Sequence, residues 1–184
     1  MEFGLFMNGY LPGPASRDSE AEHTMLMREI EYAVHADRFN WKYAWFGEHH
    51  ALTEYSHMSA PEVVFGYVAA KTERIHLGSA IMNLSRPVNH PVRNAERVAM
   101  LDHVTGGRYE WGTGRGAGSH EVATFNIDDT SSTRSEWDEV VRQIPRMWAT
   151  ESYSYKVGAL TQEFIPRITP VSRGSAVKLE IVPS

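Results

Sequence analysis

The stretch "KYAWFGEHH", residues 42–50, decides the fold that we predict for this chain. Its four central residues form a short, bulky, apolar run, which is typical of a buried β-strand. Gly47 then separates the run from Glu48, His49 and His50, so titratable side chains follow directly where the strand ends. In α/β proteins, ligands bind outside the carboxyl ends of the strands. The stretch therefore predicts a buried strand with a functional site at its end.

The same pattern recurs on both sides of this stretch. Predicted strands cover residues 3–7, 42–47, 74–82 and 108–114. Predicted helices follow them, starting near Ser19, Pro61, Pro91 and Thr133. Ser19 and Thr133 each precede a glutamate by three residues, which is the spacing of a capping box. Four strand–helix units in a row predict a parallel sheet, because each crossover returns the chain to the same edge.

The length of the chain limits how much of a barrel these units can form. A parallel (β/α)8 barrel of the TIM type takes roughly 250 residues, and this chain has 184. We therefore predict an α/β fold that is the first half of such a barrel, with about four βα units over residues 1–150. Residues 151–184 read as a divergent tail, of the kind that a truncation or a shifted reading frame produces. Within it, "AVKLEIV" (176–182) alternates like a half-exposed strand.

Composition excludes several classes of function. The net charge of -5 shows no basic excess, so we expect no nucleic-acid partner. The absence of cysteine excludes disulfides and thiolate metal sites. No segment approaches the ~20 apolar residues of a membrane span, and the N-terminus lacks the features of a signal peptide. We expect a cytoplasmic protein without a membrane partner.

Glu48, His49 and His50 allow three interpretations. A metal site requires imidazoles that converge on one ion, and adjacent residues at a strand end point in opposite directions. We therefore predict no metal. An acid–base role requires one histidine facing the pocket with Glu48 near it. In the third interpretation, both histidines only satisfy backbone groups of the loop.

The glycine-rich stretch "GTGRGAG" (112–118) follows the fourth predicted strand. Its glycines alternate, so it matches neither the GxGxxG dinucleotide fingerprint nor a P-loop. Glycines at such a position permit close approach of the backbone to a flat or anionic ligand. Arg115 would then fix a phosphate or a carbonyl through forked hydrogen bonds. The alternative is a flexible turn with a surface arginine.

Four segments together carry a family resemblance. They are "WFGEHH" (45–50), "LGSAIMNL" (77–84), "NHPVRNAERVAMLDHVTGGR" (89–108) and "WGTGRG" (111–116). Through these segments, their order and their spacing, residues 2–150 resemble the bacterial luciferase-like flavin-dependent monooxygenases. The resemblance implies a (β/α)8 barrel that binds reduced FMN, supplied by a separate flavin reductase, and uses oxygen to oxidise a small organic substrate.

The resemblance also implies roles for individual residues. His49 matches the catalytic histidine beside the flavin, and Glu48 the acid that accompanies it. Ala80 and Ile81 match the residues against the isoalloxazine ring, where the family often has a non-proline cis peptide bond. The cofactor-binding residues that it implies are Ala80, Ile81, Asn83, Gly114, Arg115 and Gly116. Gly114 occupies the position where some members carry a reactive cysteine, so that thiol chemistry is not expected.

Two other functions stay open at this point. Part of the same superfamily uses a deazaflavin coenzyme for hydride transfer, and a half-barrel could also be a non-catalytic flavin-binding or structural protein. Half a barrel leaves two parallel strand edges open. We therefore expect a homodimer, in which a second copy covers them.

Overall fold

The computed structural model describes residues 1–116, 118–150, 153–157 and 160–164. The strands are β1 (Gly4–Met7), β2 (Tyr43–Phe46), β3 (His76–Ser79), β4 (Met82–Asn83), β5 (Tyr109–Glu110), β6 (Thr113–Gly114), β7 (Tyr153–Val157) and β8 (Leu160–Phe164). The helices are α1 (Ser19–Arg38), α2 (Pro61–Ala69), α3 (Pro91–Thr105), α4 (Ser119–Thr124) and α5 (Ser132–Ala149), preceded by a short 3-10 helix (Gly13–Arg17).

The sheet is parallel, as the strand–helix alternation predicts. Its strand order is β1-β2-β3-β5, and β4 and β6 form a second parallel pair beyond it. The predicted strands at 74–82 and 108–114 are each wrong as single strands, since each is divided in two. A cis peptide bond, Ala80–Ile81, lies between β3 and β4, where the family resemblance implies it. Between β5 and β6, the Gly112 amide turns back to donate to the Glu110 carbonyl, which interrupts the ladder.

One face of the sheet packs against the helices. Successive residues of a strand point to opposite faces of the sheet. The residues on the face toward the helices, such as Phe46 and Leu77, are buried and form one apolar core with the helices. Phe46 meets Phe65 of α2 edge to face, with ring centroids 5.4 Å apart. On α5, the apolar side chains of Val140, Val141, Ile144 and Met147 are buried.

The opposite face of the sheet carries the alternate residues of the same strands. Phe6 is 60% exposed there, and the Trp45 ring lies over Gly78 so closely that a Cβ on that glycine would overlap it. His76 Nδ1 lies 2.7 Å from Glu110 Oε1 on this face. The two faces therefore differ in kind, since one is a packed core and the other holds aromatic and polar side chains.

The helix ends confirm some sequence signals and correct others. Pro61 and Pro91 begin α2 and α3, and Gly106, with φ 65°, closes α3. The predicted Ser19 capping box is wrong, because Asp18 caps α1 by accepting from the Glu20 and Ala21 amides. The Thr133 box is also wrong.

The residues of that second box bind elsewhere. Thr133 Oγ1 donates to the Thr130 carbonyl. The Glu136 carboxylate accepts from the Arg86 amide instead of reaching back to its own helix.

Strands β7 and β8 form an antiparallel hairpin that the sequence analysis did not predict. They lie inside the segment interpreted as a divergent tail. The strand predicted at "AVKLEIV" lies outside the described residues. Every helix in the described part of the chain is too short or too polar to cross a membrane.

Candidate active site

The Glu48 carboxylate ties together the carboxyl ends of two strands. Its Oε2 atom accepts from the Asn83 amide at 3.2 Å, and Oε1 accepts from Asn89 Nδ2 at 2.9 Å. Asn89 Oδ1 in turn accepts from Arg97 at 2.9 Å. The side chain of Glu48 is only 6% exposed. It therefore holds the segment after β2 against the segment after β4.

Glu48 pairs with His50, and the expectation that it accompanies His49 is not what the contacts show. His50 Nε2 donates to Glu48 Oε1 at 3.0 Å. Residues two apart in an extended segment lie on the same side of the chain, which brings 48 and 50 together. This hydrogen bond raises the pKa of His50, and partial burial opposes the rise.

His49 has a different carboxylate partner, Glu121 of α4. His49 Nδ1 lies 3.1 Å from Glu121 Oε1, and the same oxygen accepts from the His50 amide at 3.0 Å. Tyr55 meets the imidazole edge to face, with ring centroids 5.1 Å apart. Sequence reasoning missed Glu121, which is 72 residues from its partner. A signal was present, since Glu121 is the only acid between residues 115 and 127, in the segment that follows the fourth predicted strand.

Gly47 brings a second polar group close to the His49 ring. A Cβ on Gly47 would lie 3.5 Å from His49 Nε2 and 2.6 Å from Asn8 Oδ1. Asn8 directly follows β1, and its Nδ2 donates to the Tyr55 carbonyl at 3.0 Å. The ends of β1 and β2 therefore place an amide oxygen and an imidazole nitrogen around one glycine.

The Asn8 side-chain oxygen has an unmet hydrogen-bonding capacity. Oδ1 is buried and accepts from no donor. A buried acceptor left without a donor costs about 1–3 kcal/mol, so such atoms are rare and call for an explanation. A bound molecule with an N–H or O–H group would satisfy it. This orphaned atom fits a ring cofactor with N–H groups, such as a flavin.

The predicted cofactor-binding residues after β3 and β5 form one packed layer. A Cβ on Gly114 would lie 2.6 Å from Ile81 Cγ1, and one on Gly116, which has φ 65°, would overlap the Asn83 amide. These glycines are therefore required for β4 and β6 to approach each other. Their predicted contact with a cofactor stays a prediction, as does that of Ala80.

Arg115 directly follows β6, and its guanidinium reaches the start of α5. Its Nη1 donates to the Thr130 carbonyl at 3.1 Å and to Thr133 Oγ1 at 3.3 Å. Its own carbonyl accepts from Ser85 Oγ at 2.9 Å. The guanidinium is thus held by the segment before α5, and its predicted role toward a phosphate or carbonyl stays a prediction.

Within the residues that the structure describes, no group of three or more histidine, cysteine or acidic side chains is placed to hold a metal ion.

Comparison with known proteins identifies similar chains. Residues 1–176 match the model of a family described as "Luciferase-like monooxygenase". The 4-hydroxyprotoasukamycin monooxygenase of Streptomyces nodosus subsp. asukaensis is 32% identical over 146 residues, which are 78% of this chain and 37% of that protein. The chain spans 35 to 42% of the length of this and three further curated relatives.

Two solved structures share the fold. One is the oxygenating constituent of 3,6-diketocamphane monooxygenase from the CAM plasmid of Pseudomonas putida, in complex with FMN. It has a TM-score of 0.77 at 21% identity, and the matched region is 90% of this chain and 44% of the chain in that structure. The other is an F420-dependent secondary alcohol dehydrogenase in complex with an F420-acetone adduct. It has a TM-score of 0.68 at 17% identity, and the matched region is 92% of this chain and 49% of the chain in that structure. At these identities the likeness concerns the fold alone.

Proposed function

Because the chain belongs to the luciferase-like monooxygenase family, we propose that it forms the flavin-binding half of a (β/α)8-type barrel that oxidises a small organic substrate with reduced FMN and oxygen. One observation carries the proposal. The carboxyl ends of the parallel strands bring together His49, the buried and unsatisfied Asn8 Oδ1, and the packed layer of Ile81 and Asn83. Such strand ends are where barrel enzymes place their active sites.

The chain's own residues divide the work at this site. Ala80, Ile81, Asn83, Gly114, Arg115 and Gly116 would hold the flavin. Reduced FMN, when bound, supplies the electrons with which oxygen is activated. Asn8 Oδ1 would accept a hydrogen bond from the bound molecule.

His49 would move a proton at Nε2, the ring atom that lies beside Gly47 and Asn8. General acid–base groups need to reach the reacting atoms, and Nδ1 is already bonded to Glu121. Glu48 would act indirectly, since its oxygens already accept hydrogen bonds from His50, Asn83 and Asn89. It positions the strand ends and does not transfer protons in this proposal.

Two partners belong to the proposal. A separate flavin reductase would supply reduced FMN, and a second copy of the chain would form a homodimer. Exposed apolar side chains support the homodimer. They lie one helical turn apart on two helices in mutual contact, Val63 and Tyr67 on α2 and Met100 and Val104 on α3. Side chains of this kind would be buried where a second copy packs against α2 and α3 in an isologous dimer.

The test titrates the purified chain with reduced FMN, oxidised FMN and a deazaflavin coenzyme, and measures its mass in solution. Binding of FMN by a dimer, with uptake of oxygen, is the expected result. Binding of the deazaflavin alone would favour the hydride-transferring alternative. Binding of neither, or binding without any oxidation, would favour a structural or non-catalytic half-barrel and overturn the proposal.

His49→Ala probes the catalytic role directly. We expect a turnover about 100-fold lower, which is the contribution typical of a general acid or base, with an unchanged dissociation constant for FMN. Oxygen uptake with a flavin reductase, after subtraction of the uptake by reductase and FMN alone, gives the rate, and quenching of flavin fluorescence gives the affinity.

Two variants serve as controls for His49→Ala. Arg115→Ala should show the opposite pattern, with weaker flavin binding, because it removes a cation from the strand end. His35→Ala, at the exposed end of α1, should change neither quantity. Equal turnover in His49→Ala and the unaltered chain would remove His49 from the mechanism.

A further inference from the structure

The contact between His49 and Glu121 has a direction. An ionised carboxylate only accepts hydrogen bonds. The hydrogen in the 3.1 Å contact between His49 Nδ1 and Glu121 Oε1 therefore comes from the imidazole. A neutral imidazole that carries its hydrogen on Nδ1 has a lone pair on Nε2. The partner of one ring nitrogen thus sets the chemistry of the other.

Burial separates this pair from the pair of His57 and Glu22. Glu121 is 16% exposed, whereas the glutamate that binds His57 Nδ1, Glu22, is 45% exposed. Exposed ion pairs hold a side chain weakly, because water and mobile side chains compete for both partners. The Glu121 carboxylate is also fixed by the His50 amide, which donates to the same oxygen at 3.0 Å. It is a rigid acceptor for His49.

We propose that Glu121 is a positioning residue that keeps neutral His49 in the Nδ1–H form and so presents the Nε2 lone pair beside Asn8 and Gly47. Two contacts in addition to Glu121 hold His49. Its backbone amide donates to the Met58 carbonyl at 2.9 Å, and its ring makes a T-shaped contact with the Tyr55 ring. Rotation of the ring by half a turn would break the contact with Glu121. The arrangement thus determines both the orientation of His49 and which nitrogen faces a bound molecule.

A purely structural role for Glu121 makes a different prediction. The carboxylate could serve only to bind the His50 amide and hold the loop after β2. In that case its replacement would lower stability and leave the tautomer of His49 as it was. The two roles are separable by a measurement on the imidazole itself.

The experiment records 15N spectra of histidine in the uniformly labelled full chain at mildly alkaline pH, without any ligand. The His49 resonances are assigned from their loss in His49→Gln. In the unaltered chain we expect Nδ1 to be protonated and Nε2 to be unprotonated. In Glu121→Gln the Nδ1–H form should cease to be the majority species, because the amide can also donate to Nδ1. Glu121→Asp keeps the charge and should retain more of the Nδ1–H form than Glu121→Gln does.

The matched control is Glu22→Gln. It removes the same charge from another carboxylate–imidazole pair, in which His57 Nδ1 lies 2.7 Å from Glu22. Its expected effect is confined to the His57 signals. Circular dichroism verifies that each variant is folded, and Glu121→Gln is chosen because it is nearly isosteric. A neutral His49 that is already protonated at Nε2, or that stays in the Nδ1–H form in Glu121→Gln, would overturn the proposal.

A kinetic arm rests on the proposed function. With reduced FMN and oxygen, Glu121→Gln should lower turnover about 10- to 100-fold and leave the dissociation constant of FMN unchanged. If the unaltered chain shows no turnover, the proposed function fails, whereas the spectra still decide the role of Glu121. An unchanged turnover in a variant whose tautomer has changed would overturn the link to catalysis.

Discussion

The two ends of the parallel sheet use charged residues in opposite ways. At the amino end, Asp37 and Arg108 bind backbone atoms almost exclusively. At the carboxyl end, two carboxylates bind imidazoles, Glu48 with His50 and Glu121 with His49, and Asn8 keeps an unsatisfied oxygen. Charges that are fully bonded to the backbone fix the fold, whereas titratable pairs beside a free acceptor leave bonding capacity for a ligand.

Arg108 joins the ends of two helices to the sheet. It immediately precedes β5 and donates to the carbonyls at the ends of α2 and α3 and before β3, which are those of Ala69, Thr72, Ile75 and Thr105. The last carbonyls of a helix have no partner within the helix. One guanidinium therefore donates to carbonyls that lie at the ends of two separate helices.

Asp37 binds the loop before β3. Its carboxylate accepts from three successive amides, those of Glu73, Arg74 and Ile75, the shortest at 2.7 Å. Burial raises the pKa of this carboxyl, but the three amide hydrogen bonds outweigh burial, so the pKa lies below its ordinary value. The ionised form is therefore the one that the fold stabilises.

The largest effect should come from breaking the amino end at Arg108. In Arg108→Met the carbonyls at the ends of α2 and α3 lose their donor, and we expect the free energy of unfolding to fall by about 3 kcal/mol. Urea denaturation followed by circular dichroism measures this change. Arg38→Met, at the exposed end of α1, is the control and should change it by less than about 0.5 kcal/mol. A loss at Arg108 no greater than at Arg38 would show that the amino end is not a stability element.

Asp37→Asn should have a smaller effect that depends on pH. We expect the free energy of unfolding to fall by about 1–2 kcal/mol at pH 7. The side-chain NH2 group of the asparagine would face backbone N–H groups, and both are hydrogen-bond donors. Since the folded pKa is lowered, this stabilisation is complete above the ordinary value of 3.8 and is lost as the pH falls through the folded value. The difference between the two chains should therefore shrink in acid.

Urea midpoints at several pH values test this prediction. Asp138→Asn, which alters an exposed pair on α5, is the comparison and should produce a smaller change at neutral pH. A difference between Asp37→Asn and the unaltered chain that stays constant down to strongly acidic pH would contradict the assignment.

The smallest effect should come from the carboxyl end, with the opposite dependence on pH. Glu48 raises the pKa of His50, so the stabilisation is complete below the ordinary value of 6.5 and is lost as the pH rises through the folded value. His50→Gln should remove this dependence on pH. The free energy of unfolding should change by less than about 1 kcal/mol, because solvent partly screens the pair. His35→Gln should leave the dependence intact, and a slope between pH 6 and 9 that persists in His50→Gln would assign it to another group.

Much of the fold could be predicted from local patterns. The apolar runs indicate where the chain enters and leaves the sheet, and Pro61, Pro91 and Gly106 mark helix ends, because proline and glycine restrict or permit backbone angles by themselves. The capping box at Ser19 fails because Asp18 binds the first amides of α1. The box at Thr133 fails because Thr133 already lies inside α5 and Glu136 binds the Arg86 amide. The division of the predicted strands at 74–82 and 108–114 also escapes such reasoning, since it depends on contacts between the two strands.

The candidate site was predictable in position and less so in its connections. The residues that follow the strands lie at one end of the sheet, because parallel strands align their carboxyl ends, and their roles there stay predictions. Which carboxylate serves which histidine was not predictable. The neighbour in sequence, Glu48, binds His50, and the partner of His49 arrives from α4.

The sequence by itself determined the alternation of strands and helices, the parallel sheet and the end of the sheet where polar residues collect. These features follow from the period of apolar residues and from backbone angles, which are local properties of the chain. Only the tertiary structure decided that Glu121 orients His49 and that Asn8 Oδ1 is buried without a donor. It also decided that Arg108 donates to carbonyls at the ends of two helices. Hydrogen-bond partners of this kind depend on where separate elements meet in space, and the spacing of residues along the chain does not predict them.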